Sequence, residues 1–464
     1  MKRQILKMDL KFSKWTWLIL LLTAALLLGA CGDEEEPSVQ SVSSDRPTAT
    51  TADTQTTNTG SGDSPLAQLP EPVDGRISLP MIDGISGGLL FTQGYYGTAG
   101  TQLSTLYFMR FGETEPHMIA EGVNPTTVSV SPDYKKVFYS TSGVRNRRVF
   151  VADLTTLEAT DLGRMQGVVA NIVGWTPDSV LYAEIQIRGD GPVADFFLAK
   201  QDGSGVVDVS PEGVMSGVLA DGTLLLNAVS EDQTALTLNR YDPATETSIE
   251  IGTVALDNEN FGSTILAILN MLQTQGLALS DTFFTNGAVR LGDDILLTQL
   301  ASPAPGGVAL CGLWEIRKVG IPESTVVYSI EDATLLSHLR VLPDGSLLML
   351  HWWLEDCNIN ELHNEILHVS ADGQSFVSVA EIDPGTEVNL SFLAGSSGQK
   401  YDVTPDGRYV LWIGGGLRAG YSAVNVTDLQ TDTTATLMRQ TQSGSADSFL
   451  ENQIFSNVFW INTD

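Results

Sequence analysis

Arginine side chains are the groups in this sequence whose type and position most favour a binding role. The set consists of Arg145, Arg147, Arg148, Arg188 and Arg418. A guanidinium group presents its donors in a fixed fork, which suits a carboxylate or a phosphate. If the fold brings these residues together, they predict an anionic ligand such as an acidic glycan. The alternative is that they are surface arginines paired with neighbouring Asp and Glu residues.

Sequence patterns that mark a catalytic centre are absent. The chain has no Gly-x-Ser-x-Gly elbow, Walker loop, His-Glu-x-x-His or Cys-x-x-Cys motif. Glu361, His363, Glu365 and His368 have metal-ligand side chains, but their spacing on a strand or loop is not diagnostic. Carboxylates are so abundant that no acid or base can be selected. The sequence therefore predicts no catalytic residue, cofactor or metal site, and leaves enzymatic activity uncertain.

The elements that must position the arginines are repeated β-hairpins. In Tyr401–Ile413 an apolar strand lies on each side of Thr404-Pro405-Asp406-Gly407. Proline fixes φ in such a turn, and glycine tolerates positive φ. The same turn recurs at Ser131-Pro132-Asp133, Thr176-Pro177-Asp178, Ala220-Asp221-Gly222 and Pro343-Asp344-Gly345. Four strands in each unit of roughly 40–45 residues is the pattern of a propeller blade.

Seven units are predicted, with cores near residues 87–120, 126–163, 167–209, 214–253, 288–330, 335–382 and 399–438. The Ser-Pro-Asp and Thr-Pro-Asp-Gly hairpins, followed by strands such as Arg148–Leu154, resemble the TolB-type β-propeller repeat over about residues 85–464. The resemblance implies an all-β, seven-bladed β-propeller of four-stranded antiparallel blades. It carries little information about function, since this repeat occurs in scaffolds, binding proteins and enzyme accessory domains. We expect the run Phe455–Asn462 to complete the first blade and close the ring, which would remove two unpaired edges.

The loops between the second and third strands of each blade form the predicted ligand face, opposite the hairpins. They are longer and more varied than the hairpins, and loops on a rigid scaffold are where binding residues concentrate. The five arginines lie in them, together with Tyr95, Tyr96, Trp352 and Trp353. These nine residues are the candidate ligand-face residues.

The N-terminus carries a targeting segment. Basic residues precede an apolar run, Trp15–Leu28, which ends at Leu28-Gly29-Ala30-Cys31. This resembles a bacterial lipoprotein signal, which implies that Cys31 is lipidated and becomes the mature N-terminus; the competing interpretation is an uncleaved transmembrane anchor. Residues 32–75 are acidic and rich in Ser and Thr, which predicts a disordered tether. The folded domain is then 76–464.

Two cysteines remain after Cys31, namely Cys311 and Cys357. Export would place them in a compartment where disulfides persist. Both lie in second-to-third-strand loops, in the predicted fifth and sixth blades, and neighbouring blades bring equivalent loops side by side. The sequence therefore predicts one disulfide between them, with two free thiols as the alternative.

Residues 256–287 interrupt the repeat pattern as an insertion. Within it, Ser263–Gly276 is uncharged, and Ile265, Ile268, Leu269 and Leu272 fall on one helical face. The segment is too short to span a membrane. It predicts one helix packed onto the propeller rim, with a partner-binding or ligand-gating helix as the alternative.

The charge of the chain restricts its partners. With 25 Lys and Arg against 56 Asp and Glu, the net charge is −31, which opposes binding to nucleic acid. The sequence favours a lipid-anchored protein of the cell envelope, outside the cytoplasm, held to the membrane through its N-terminal lipid. Its propeller would be a binding or interaction scaffold for a protein or glycan partner. The alternative is a propeller enzyme acting on polysaccharide, either a lyase or a glycosidase.

Overall fold

The structure is a computed structural model in which much of the folded part of the chain can be described. The described residues are 64–96, 102–141, 147–167, 169–188, 191–209, 214–230, 232, 234–256, 261–279, 288–291, 294–304, 311–319, 324–354, 362–382, 400–416, 421–441 and 454–462. Arg145, Cys31, Cys357 and Arg418 therefore lie outside the described residues, and so does most of the predicted tether.

Short antiparallel strands make up most of the described chain. They are β1 (Gly88–Tyr96), β2 (Gln102–Arg110), β3 (His117–Val123), β4 (Ser129–Val130), β5 (Lys136–Ser140), β6 (Arg148–Asp153), β7 (Ala159–Arg164), β8 (Val169–Trp175), β9 (Ser179–Arg188), β10 (Gly191–Lys200), β11 (Val206–Asp208), β12 (Val214–Val218), β13 (Leu224–Val229), β14 (Ala235–Asp242), β15 (Thr247–Ala255), β16 (Ala288–Leu291), β17 (Asp294–Pro303), β18 (Gly312–Val319), β19 (Thr325–Val341), β20 (Leu347–Leu354), β21 (Leu362–Val369), β22 (Phe376–Glu381), β23 (Tyr401–Val403), β24 (Tyr409–Gly416), β25 (Tyr421–Asp428), β26 (Thr433–Thr441) and β27 (Ile454–Ile461). The helix α1 spans Phe261–Thr274. Within the described ranges, no helix is both long enough and apolar enough to cross a bilayer.

The strands form seven four-stranded blades, which confirms the predicted fold class. Blade 1 has the order β27-β1-β2-β3, and blades 2, 3 and 4 are β4–β7, β8–β11 and β12–β15. Blades 5 and 6 share one seven-stranded sheet, β16–β22, and blade 7 is β23–β26. The C-terminal strand β27 occupies the position that the first strand holds in the other blades. It pairs with β1 from Gly88↔Ile461 to Gly94↔Ile454, so the predicted closure of the ring is confirmed.

A single long strand joins blades 5 and 6. The first part of β19 pairs with β18, and its second part pairs with β20. The sequence between these parts, Glu331-Asp332-Ala333-Thr334, contains neither Gly nor Pro, so nothing interrupts the extended backbone. The strand is irregular at His338, where φ is 54° and the register shifts between Ser337 and Arg340.

The hairpin turns explain the recurring Ser/Thr-Pro-Asp signal. In blade 7, Thr404 Oγ1 accepts a hydrogen bond from Tyr409 N at 3.0 Å, and Asp406 Oδ1 accepts one from Arg408 N at 3.1 Å. These side chains satisfy backbone donors that the turn leaves unpaired. Gly407 has φ 74°, and a Cβ there would lie 2.5 Å from Pro343 Cδ in the blade 6 hairpin. Glycine is therefore required both by the turn and by the approach of two hairpins.

The hydrophobic core consists of several clusters, most of which lie between neighbouring blades. Blades 1 and 2 pack through Leu90 and Phe108 against Val137 and Tyr139, and each of these side chains is at most 2% exposed. Similar clusters connect blade 2 with 3, blade 3 with 4, blades 5, 6 and 7 with one another, and blade 7 with 1. Because each middle strand is covered on both faces, its sequence reads as a continuous apolar run such as Leu347–Leu350.

The predicted rim helix is present. On α1, Ile268 and Leu272 are 9% and 2% exposed and pack into the core cluster of blade 4 with Val254 of β15. Gly252 on β15 has φ 149°, which favours glycine, and a Cβ there would lie 2.6 Å from the Met271 sulfur. The chain after the helix stays attached to the same blade, since Ala220 N donates to Ala278 O at 2.8 Å.

The folded domain begins before the predicted boundary at residue 76. Residues 65–68 form a 3-10 helix whose Leu66 is 2% exposed in the core cluster of blades 7 and 1. Ser64 Oγ donates to Asp428 Oδ2 at 2.8 Å, and Thr441 N donates to Asp74 Oδ1 at 2.7 Å. Assigning residues 64–75 to a disordered tether was therefore wrong. The segment is polar on average, so its composition did not indicate that Leu66 is buried.

Candidate functional site

Two of the predicted ligand-face arginines are described in full, and both contact neighbouring groups. Arg148 Nε donates to Asp161 Oδ2 at 2.5 Å, and Arg147 Nη1 donates to Gly167 O at 3.4 Å. Arg148 is therefore a surface arginine paired with an Asp, which is the alternative that the sequence left open. Arg188 is the last residue of β9, and Tyr95 and Tyr96 end β1. Their backbone positions agree with the predicted face, and whether the nine residues bind a ligand stays a prediction.

The two tryptophans have different environments. Trp352 is 4% exposed and packs in the core cluster that blades 5, 6 and 7 share. It lies within β20, which continues to Leu354, and its role at the ligand face stays a prediction. Trp353 is half-buried, with its ring stacked between the imidazoles of His351 and His363 at centroid distances of 4.9 and 5.1 Å.

The histidine and glutamate residues of β21 do not converge. Glu365 Oε1 lies 2.9 Å from His351 Nδ1, and this contact lowers the pKa of Glu365 against the effect of its burial. His368 points to the other face of the strand, where its Nε2 lies 2.9 Å from Ser346 Oγ. No group of three potential metal ligands occurs among the residues that the structure describes.

Only one of the two cysteines in the predicted disulfide, Cys311, lies among the described residues. Cys311 is fully buried at the start of β18, and its carbonyl accepts a hydrogen bond from Ala304 N at 2.7 Å. Cys357 is outside the described residues, so the pairing stays a prediction. Titration of the denatured, unreduced protein should find almost no free thiol if the two cysteines are bonded.

Sequence reasoning missed a cluster of charged residues on the inner strands of three consecutive blades. His338 and Arg340 lie on β19 in blade 6, Lys400 and Asp402 lie at β23 in blade 7, and both latter side chains contact β27 in blade 1. We call these four residues the inner-strand cluster. A charged side chain at an inner strand, where apolar and small residues dominate, is the signal that could have revealed it.

Asp402 is fixed against the free edge of β27. Its Oδ2 accepts a hydrogen bond from Trp460 N at 2.8 Å, and its Oδ1 accepts one from Val403 N at 2.9 Å. Among the described strands β27 pairs with β1 alone, so Trp460 N lies on the edge that none of these strands covers. Burial raises the pKa of Asp402, while Arg340 and the two N–H donors oppose the rise.

Lys400 also contacts β27. Its Nζ donates to Ser456 O at 3.4 Å, which is a long hydrogen bond. Burial lowers the pKa of Lys400 to about 8, so the side chain is mostly protonated at neutral pH but poorly solvated.

The charges of Arg340 and Lys400 both influence the pKa of His338. Burial is the main cause that lowers the pKa of His338, to about 3, and the charges of Arg340 and Lys400 lower it further. His338 is therefore neutral near pH 7, and its backbone carbonyl accepts a hydrogen bond from the Tyr401 hydroxyl. A non-glycine residue at positive φ costs on the order of 1 kcal/mol, so this position stores backbone strain beside the two cations.

The two cations of the cluster lack the partners that other basic residues have. Arg240 lies 2.5 Å from Asp221, Lys200 lies 2.5 Å from Asp178, and Arg408 binds both oxygens of Asp428 at 3.1 and 2.8 Å. Within the described part of the chain, neither Arg340 nor Lys400 has a carboxylate oxygen within ion-pair distance. The cluster can therefore attract an anion.

Comparisons with known proteins find only distant structural similarity. No protein-family model matches the sequence, and no curated protein matches it. Among solved structures, TolB from Acinetobacter baumannii is 9% identical, with 80% of this chain and 67% of that chain covered at a TM-score of 0.38. The periplasmic gluconolactonase of Pseudomonas aeruginosa is 14% identical, with 82% and 100% covered at 0.40. Oligogalacturonate lyase from Vibrio parahaemolyticus is 13% identical, with 73% and 91% covered at 0.37. Such similarities identify no substrate or partner.

Proposed function

We propose that this protein is a lipid-anchored binding protein of the cell envelope. The observation that supports the binding role is that Arg340 and Lys400, on inner strands of the ring, have no ion-pair partner among the residues that the structure describes. A strongly acidic chain, with a net charge of −31, has many carboxylates that could pair with them. Leaving two cations without an ion pair costs solvation free energy, which a bound ligand would offset.

The proposed location rests on the sequence. The apolar run before Leu28-Gly29-Ala30-Cys31 supports export and lipidation at Cys31. The residues between Cys31 and Ser64 would then separate the propeller from the membrane surface. Labelling with a fatty-acid analogue should mark the wild type and leave Cys31→Ala unmarked. Equal labelling of both would contradict the anchor.

A ligand screen with the full chain in detergent tests the binding role. The screen should include neutral and acidic glycans and acidic peptides, and each mixture should be examined for reaction products. Saturable binding without products is the expected result. Turnover of a polysaccharide would instead favour the enzyme, lyase or glycosidase, and would contradict the proposal.

A further inference from the structure

We propose that α1 is a lid over a binding site for a small neutral amide, and that the side chain of Asn227 in blade 4 is the polar anchor of this site. A gating role is one of the alternatives that the sequence left open for the insertion. The inference goes beyond the binding role of Arg340 and Lys400, because Asn227 lies in a different blade and beside an apolar core cluster.

The side chain of Asn227 is fully buried on β13. Within the described part of the chain, neither its Oδ1 nor its Nδ2 has a hydrogen-bond partner. Asn457 is equally buried, but its Nδ2 donates to Thr92 Oγ1 at 3.1 Å and to Pro125 O at 2.6 Å. A buried amide that makes no hydrogen bond destabilises the folded protein, because it has lost water and gained no polar partner. The amide of Asn227 is therefore available to a ligand.

The strand register places Asn227 on the face of blade 4 that α1 covers. Asn227 is directly opposite Leu238, and Leu238 is directly opposite Gly252. Directly opposed residues of neighbouring strands have their side chains on the same face of the sheet. A Cβ at Gly252 would lie 2.6 Å from the Met271 sulfur, so α1 crosses this row of residues. Leu238 also belongs to the same core cluster as Leu272 of α1.

The chemistry of this face favours a small neutral ligand. The helix α1 contains no charged residue, and the cluster between it and blade 4 consists of apolar side chains. A charged ligand would lose its hydration against these side chains. An amide offers an N–H donor and a carbonyl acceptor, which match Oδ1 and Nδ2 of Asn227. An aliphatic body on the ligand would pack against the leucines of the cluster.

The helix is attached to blade 4 in a way that suits a lid. Its backbone hydrogen bonds are internal, and Leu272 and Met271 hold it to the blade by side-chain packing. It can therefore lift without breaking the sheet. The hydrogen bond from Ala220 N to Ala278 O would keep the chain after the helix attached to the blade.

Isobutyramide is a probe with the proposed chemistry. N,N-dimethylisobutyramide is its control, because it has no N–H donor. The full chain in detergent should be melted at pH 7 with each compound at equal concentration. We expect the Tm in isobutyramide to be higher, by about 1–2 °C once its concentration exceeds the Kd tenfold. Hydrogen exchange at α1 should also be slower in isobutyramide than in the control compound, because the bound ligand holds the lid in place.

Two matched variants locate the effect. Asn227→Leu removes the amide, so it should raise the Tm without ligand and abolish the difference between the two compounds. Asn239→Leu should keep the difference, because Asn239 is opposite Leu226 on the other face of the blade. Equal Tm values for the wild type in the two compounds, or a difference that survives in Asn227→Leu, would overturn the site. If Asn227→Leu does not fold, the exchange rates of α1 in the wild type decide, and equal rates in the two compounds would overturn the lid.

Discussion

Lys400 shows how a residue can be unfavourable for stability and still be well placed for binding. Its ammonium group is poorly solvated and has one long hydrogen bond, to Ser456 O. Burial lowers the pKa of Lys400, and no carboxylate within ion-pair distance among the described residues compensates its charge. A residue that served only stability would be apolar here. Sequence reasoning passed over it because Lys400 stands just before a turn motif, where a surface lysine is common.

Replacing Lys400 with Met should therefore stabilise the protein. The folded pKa of about 8 lies below the ordinary value of 10.5. Below pH 8 the protonated lysine then weakens the folded state by on the order of 2–3 kcal/mol. We expect a Tm about 3 °C higher than wild type at pH 7, measured without carboxylate buffers. As pH rises from 8 towards 10.5 the folded lysine is neutral, so the difference should shrink. A lower Tm in the variant at pH 7 would show that Lys400 is a structural residue.

At the scale of single elements, the sequence predicted the hairpin turns but not the contacts between segments that are distant in the chain. The Thr404 and Asp406 turn bonds follow from residue type and spacing alone. Leu66 packs in a cluster that includes Leu437 of blade 7, which is more than 300 residues away in the sequence. No local pattern encodes such a contact. The burial of Trp352 likewise depends on packing between blades 5, 6 and 7.

Two N-terminal truncations should separate the tether from the folded start of the domain. A chain that begins at Ser64 should melt like the full protein in detergent. A chain that begins at Arg76 loses Leu66 and the Ser64–Asp428 hydrogen bond, and we expect a loss of about 3 kcal/mol or more. Thermal melting of both chains checks this. Equal Tm values would mean that the segment 64–75 contributes no stability.

The helix α1 offers a second prediction at this scale. Leu272 is 2% exposed in the blade 4 cluster, so Leu272→Ala should cost about 2–4 kcal/mol. Gln273 is the exposed neighbour, and Gln273→Ala should change stability by less than about 0.5 kcal/mol. Denaturant unfolding of both variants measures the contrast. Similar values would indicate that α1 is not held against blade 4.

At the scale of the whole molecule, ring closure depends on the two ends of the chain meeting. The repeat pattern made this predictable, because the first unit lacks an initial strand and the last unit is followed by an extra one. What the repeat could not reveal is how the free edge of β27 is satisfied. Asp402 and Lys400 of blade 7 bond that edge, so the inner-strand cluster also joins the last blade to the first. Lys400, one of the two residues proposed for binding, therefore also contributes to closure.

Removing β27 should therefore open the ring. A chain that lacks Phe455–Asp464 loses the β27 partners of β1 from Gly88 to Gln93 and leaves unpaired strand edges. It also loses Asn457, whose Nδ2 donates to Thr92 Oγ1 at 3.1 Å and to Pro125 O at 2.6 Å, linking blades 1 and 2.

We expect this variant to aggregate or to unfold with a broad transition, measured by light scattering and calorimetry. A chain that ends at Asn462 keeps β27 and should behave like the wild type, which controls for the loss of terminal residues. A smaller change, Asn457→Ala, should cost about 1–3 kcal/mol without opening the ring, because the backbone pairing remains. A cooperative, wild-type-like melt of the chain without Phe455–Asp464 would show that the ring does not need its C-terminal strand.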